Sequence, residues 1–82
     1  MRLDDINAFL DVKHAHDRMA RRAGIDIDTD VQYSSMTSFR EAATLTDSSI
    51  KREPLSSGSG AIFSFVYGGV KFWYMSYSGE VV

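Results

Sequence analysis

Two runs of aromatic and β-branched residues near the C-terminus, Ala61–Tyr67 and Val70–Tyr77, are separated only by Gly68-Gly69, and this arrangement limits the fold more than any other part of the chain. Aromatic and β-branched side chains suit extended backbone, and paired glycines supply the positive φ angles of a tight primed turn. The pattern predicts an antiparallel hairpin. With Gly68 and Gly69 as the loop, Tyr67 faces Val70, Phe65 faces Phe72 and Phe63 faces Tyr74, all on one side of the ribbon. The other side carries Ile62, Ser64 and Val66 against Met75, Trp73 and Lys71. A sheet wetted on that side would be polar there. This one presents Trp73, Met75, Ile62 and Val66, and a change of loop length leaves both sides apolar.

Seven of the ten aromatic residues lie in this hairpin. Two arrangements follow from so much apolar surface. In one, the first helix covers one side and the second helix, the 49–60 segment or the chain termini cover the other. In the other, helices cover one side and the outer side is an exposed patch, with Trp73, Met75 and Tyr77 as anchors for a protein partner or a second copy of the chain. Trp, Tyr and Met are enriched at interface centres, and large exposed apolar patches mark interaction sites.

Upstream, Asp4 and Asp5 precede an apolar series at Ile6, Phe9, Leu10, Val12, His16, Met19, Ala20 and Ala23, with Asn7, Asp11, His14, Arg18, Arg21 and Arg22 on the opposite arc. Three-and-four spacing, acids in the first turn and arginines in the last predict an amphipathic helix over about 4–23, closed by Gly24. The period then changes to two, Ile25, Ile27, Thr29, Val31 and Tyr33 alternating with Asp26, Asp28, Asp30 and Gln32, which reads as a half-buried strand. Ser38 and Glu41 have the offset of a capping box, so a short second helix is expected from Ser38. Pro54 confines any strand around Ile50 to an edge. Ser56–Gly60 reads as a loop, and Ser78-Gly79 as a further turn before Glu80, Val81 and Val82. The expected fold is α+β: the N-terminal amphipathic helix and a short second helix packed on one face of a small antiparallel β-sheet that ends in the C-terminal hairpin.

At 82 residues the chain corresponds to one domain, 1–82, large enough to fold on packing alone. It contains no cysteine, which removes disulfides and thiolate metal sites. The net charge of -2 gives neither the general basicity of a nucleic-acid binder nor the acidity of a nucleic-acid mimic. No apolar stretch approaches the ~18 residues of a membrane span, and the N-terminus lacks a secretion pattern, so the expected location is the cytoplasm.

Catalytic and metal chemistry finds no footing in the sequence. His14 and His16 are two apart on a helix, about 200° around its axis, and cannot chelate one ion. His16 reads as a hydrogen-bonded core histidine and His14 as a solvated one. Asp26, Asp28 and Asp30 match the start of a calcium loop, but Val31 and Thr37 stand where the glycine and the bidentate glutamate belong. They read instead as a solvated strand face, and functionally as charges that steer the protein toward a basic partner surface. Arg18, Arg21 and Arg22 complement the helix dipole and offer a second, basic surface. Base stacking on the aromatic strands would need flanking cations, and the hairpin holds only Lys71, so nucleic acid is the lesser candidate. The expectation is a non-enzyme with no cofactor and no metal.

In general character, a short cysteine-free chain with compact α+β organisation and surface patches but no catalytic signature, the sequence resembles small phage-encoded anti-CRISPR proteins. The resemblance covers overall type and no specific motif. It implies a non-enzymatic inhibitor that binds a bacterial defence complex of CRISPR-Cas type and occupies a protein or nucleic-acid-binding surface, with Trp73, Met75 and Tyr77 as anchors and Asp26, Asp28 and Asp30 as steering charges. The helices-then-sheet order also resembles small ribonuclease toxins of toxin–antitoxin pairs, whose strongly basic surface this acidic chain lacks. A small nucleic-acid-binding or toxin–antitoxin protein is the alternative, and a homodimer that buries the outer face is a third.

Overall fold

The computed structural model describes residues 3–55 and 60–77, with side chains from Lys13 onward. Over these residues the chain is α+β, with helices α1 (Leu3–Arg22) and α2 (Met36–Leu45) and strands β1 (Val31–Gln32), β2 (Lys51–Pro54), β3 (Ala61–Tyr67) and β4 (Val70–Ser76). Of the loop expected over Ser56–Gly60, residues 56–59 lie outside the described residues, as do the turn expected at Ser78-Gly79 and its terminal stub.

A Schellman motif ends α1. The Ile25 N–H donates to the Ala20 carbonyl and the Gly24 N–H to the Arg21 carbonyl, each at 3.0 Å, with Gly24 at φ +82°. Ile25 and Ala20 are both buried, which supplies the apolar contact that accompanies this cap. Lys71 Nζ then donates to the Gly24 carbonyl at 3.2 Å, placing a cation at the negative end of the helix dipole.

The strand expected over residues 25–33 shrinks to Val31–Gln32. Asp26 Oδ1 accepts the Asp28 N–H at 3.1 Å, Asp30 Oδ2 accepts the Asp26 N–H at 2.9 Å, and the Asp26 carbonyl accepts the Asp30 N–H at 2.8 Å. These local bonds give the backbone partners that a ladder would otherwise supply, so a turn replaces the strand despite its alternating pattern. The N-cap of the second helix lies three residues before the expected one. Ser35, in extended conformation, is the N-cap, and its Oγ accepts the Ser38 N–H at 3.3 Å. At the other end Ser48 N–H reaches the Ala43 carbonyl at 2.9 Å while Asp47 takes φ +52°, a second Schellman closure with aspartate at the left-handed position.

The strand order is β1-β4-β3-β2, and the sheet is mixed rather than antiparallel. β3 and β4 pair antiparallel with Phe65 opposite Phe72 and Tyr67 opposite Val70, β2 is antiparallel to β3, and β1 is parallel to β4. β1 and β2 therefore run the same way at the two edges. The reason is α2, which reverses the chain between them and leaves the hairpin to fill the middle. The edge strand β2 is Lys-Arg-Glu-Pro, whose charges and missing N–H discourage further pairing.

The two helices lie on opposite faces, not on one. Ala20 of α1 clusters with Ile25, Leu55, Ile62, Trp73 and Met75, whereas Phe39 and Ala43 of α2 cluster with Phe65, flanked by Tyr33, Phe63, Phe72 and Tyr74. On the α2 face, Phe65 stacks on Phe72 and tilts against Phe39, with centroids 5.2 Å apart in both pairs. Two apolar faces each lower their free energy by about 25 cal/mol per Å² removed from water, so each takes its own helix. Gly60 closes the far end of the sheet. Its carbonyl accepts the Leu55 N–H at 2.9 Å, and a Cβ there would fall on the Ser76 carbonyl oxygen.

Candidate protein-binding surface

Alternation along β4 places Trp73 and Met75 on the α1 side, and α1 covers them. Trp73 is 1% exposed, and its ring lies 5.6 Å from that of His16. Met75 is buried in the same cluster, and Tyr77 packs half-buried against it. Of the anchors expected on an outer face, Trp73 and Met75 are thus core residues and Tyr77 flanks them, because the helix expected to share a face with α2 occupies theirs. Trp73 Nε1 is buried with no hydrogen-bond partner among the described residues.

Around this core His16 is half-buried. The Gln32 side-chain amide lies 3.2 Å from His16 Nε2, and His16 Nδ1 is 3.6 Å from an Asp17 carboxylate oxygen. Gln32, from β1, has only N–H donors at that nitrogen, so the ring nitrogen accepts. Asp17 also binds Lys13 Nζ at 3.1 Å. Partial burial raises the Asp17 carboxyl, but the hydrogen bond and charge of Lys13, with the hydrogen bond of His16, outweigh it and leave the group below its ordinary value. This arrangement ties α1 to β1 across the Trp73 ring.

The three aspartates do not share a strand face. Asp26 and Asp28 are exposed and Asp30 is half-buried, and all three belong to the turn after α1. Backbone hydrogen bonding from Asp28, together with Thr29 and the Arg21 charge, holds the Asp26 carboxyl below its ordinary value. The acidic turn therefore borders the basic end of α1, and Arg21, Asp26 and Asp28 line one shallow depression there.

Three exposed apolar side chains lie at the hairpin end of the sheet. Val66 is 61% exposed, Tyr67 55% and Val70 37%, with Ile50 ahead of β2 and Leu45 at the end of α2 also exposed. Tyr67 and Val70 extend the α2 face beyond Phe65 and Phe72. Val66 belongs to the α1 face, where a groove of about 520 Å³ runs between Ile25, Lys51, Ser64, Val66 and Lys71. The cause is a mismatch in length. A seven-residue strand reaches about 23 Å and a ten-residue helix about 15 Å, so the strands outrun α2. The sequence signal was present in those lengths, but hidden by the bulkier aromatics closer to the middle of the hairpin.

Among the described residues no three His, Asp or Glu side chains converge to hold a metal ion, and no helix is long and apolar enough to cross a membrane. Compared with the models of known protein families, with curated proteins and with solved structures, the chain matches none.

Proposed function

We propose that this chain is a non-enzymatic inhibitor that binds a bacterial defence complex of CRISPR-Cas type and blocks it by occupying a protein or nucleic-acid-binding surface. The observation that supports a binding role is the group of exposed apolar side chains at the hairpin end, Tyr67 and Val70 on the α2 face and Val66 on the other. Aromatic and aliphatic residues on a rigid hairpin suit the centre of an interface, since little conformational entropy is lost on binding. In this reading the apolar anchors are Tyr67, Val66 and Val70 in place of Trp73 and Met75, with Asp26 and Asp28 as the exposed charges that influence the rate of encounter.

The test is interference in living cells. Bacteria carrying active CRISPR-Cas systems of different subtypes are challenged with a targeted phage, with and without this chain. Protection of the phage in one subtype, lost in a Tyr67→Ala/Val70→Ala variant that remains folded by circular dichroism, is the expected result. No protection in any subtype contradicts the target class, and undiminished protection by the double variant contradicts the hairpin end as the surface. Light scattering of the free protein separates a partner-binding monomer from a homodimer that buries the same residues.

A further inference from the structure

Away from the hairpin end, α1 carries a surface of different character. Arg18, Arg21 and Arg22 are exposed on its last two turns, and a shallow groove of about 490 Å³ is lined by His14, Asp17, Arg18 and Arg21. At about 100° per residue, positions 14, 18, 21 and 22 lie within about 100° of one another, so they form one stripe. Asp17, the carboxylate in the groove, is bonded to Lys13. Arg21 feels Asp26, and Arg22 flanks Glu53 across a small cavity, but Glu53 is bonded to Lys51 at 3.2 Å. None of the three guanidiniums forms an ion pair within 4.0 Å among the described residues.

We infer that this stripe is a second binding site, and that its ligand is the phosphate backbone of double-stranded DNA. Guanidinium offers paired donors that match phosphate oxygens, and side chains three and four residues apart on a helix present them at 5–6 Å intervals, an estimate of roughly one turn. An acidic protein would offer carboxylates, but a protein interface needs an apolar centre. Among the described residues the exposed large apolar side chains are Val31, Leu45, Ile50, Val66, Tyr67 and Val70, and none of them lies on the part of α1 from Lys13 to Arg22 that carries the stripe. A surface that is charged without an apolar centre suits contact that is electrostatic and independent of sequence. The net charge of -2 does not oppose this, because the field is local: of the acids beside the stripe Asp17 and Glu53 are paired with lysines, and the depression that holds Asp26 and Asp28 is bordered by Arg21 but not by Arg18 or Arg22.

The counterion-release rule gives this proposal a number. Three guanidiniums on three phosphates give a slope of log K against log salt of about -2.7, equivalent to about a 40-fold loss of affinity between ~50 and ~200 mM salt. Fluorescence anisotropy of a labelled ~20-bp duplex is measured across that range with the wild-type chain and with Arg18→Gln/Arg22→Gln. The expected result is a slope near -2.7 for wild type and about -0.9 for the double variant. A wild type that does not bind at ~50 mM salt, or a slope that the double variant leaves unchanged, overturns the proposal. Polyglutamate is the second probe, and binding to it in preference to DNA also overturns the proposal, by assigning the stripe to an acidic protein. Because the variant leaves Tyr67 and Val70 intact, its effect on DNA binding is separate from the outcome of the interference test.

Discussion

Replacing Trp73 with alanine distinguishes a core from a surface at the centre of the hairpin. The side chain is 1% exposed, in contact with the cluster of Ala20, Ile25, Leu55, Ile62 and Met75, and its ring lies 5.6 Å from that of His16. Deleting a fully buried tryptophan costs about 3–5 kcal/mol through lost transfer free energy and the cavity left behind. At roughly 0.05–0.15 kcal/mol per residue, the whole chain of 82 residues has about 4–12 kcal/mol to lose, so Trp73→Ala removes a large part of its stability. Trp73→Phe should cost under about 2 kcal/mol, because the ring is largely replaced and the Nε1 that lacks a partner, an unsatisfied group worth about 1–3 kcal/mol, goes with the indole. Urea unfolding followed by far-UV circular dichroism measures both, since the variants lose the only tryptophan as a fluorescent probe. An exposed tryptophan would change stability by about 0.5 kcal/mol or less on truncation, and that result for Trp73→Ala would refute the placement of α1 over this face.

Three further predictions concern the helix ends and the acidic turn. Ser35→Ala should cost about 1 kcal/mol by removing the α2 cap, while Ser38→Ala, at a position that only donates its backbone N–H to that cap, should be close to neutral in thermal unfolding. Gly24→Ala should destabilise by about 1–2 kcal/mol although a new Cβ meets no atom within 4 Å, because φ +82° alone sets the penalty, and Asp47→Gly should stabilise by about 0.5–1 kcal/mol by relieving φ +52°. The Asp26 carboxyl lies below its ordinary value when folded, so its contribution is present above the unfolded pKa of about 3.9 and is lost as pH falls through the folded value; denaturation midpoints of Asp26→Asn should decline less steeply than wild type below about pH 4.

Much of the local structure is written in short-range chemistry. The three-and-four series before Gly24 specifies α1 and its stop, and the paired glycines between two β-branched runs specify the hairpin register. Pro54 marks β2 as an edge strand. Elsewhere two local signals compete, and the sequence alone does not rank them. Residues 25–33 alternate like a strand, yet Asp26 and Asp30 bond to neighbouring N–H groups and form a turn. Ser35 and Ser38 are both cap residues by type, and the helix uses the earlier one. The covering of the faces is a tertiary fact. Strands apolar on both sides are the mark of a sheet buried on both sides, and in this chain the second cover comes from α1, whose partners are some 40–60 residues away in sequence. Trp73 and Met75 were therefore readable as apolar but not as covered. Tyr67 and Val70, two of the hairpin's own residues, inherit the exposed position only because α2 is shorter than the strands it crosses.

The most direct test of a sheet covered on both faces uses the single tryptophan in the chain. Iodide and acrylamide quenching of Trp73 emission is measured in the folded protein and again in urea. With α1 over β3 and β4, the folded protein shows short-wavelength emission that iodide barely reaches, and unfolding both reddens the emission and opens it to the quencher. Emission that is already red and as readily quenched before unfolding as after it would return Trp73 to the surface and contradict this fold.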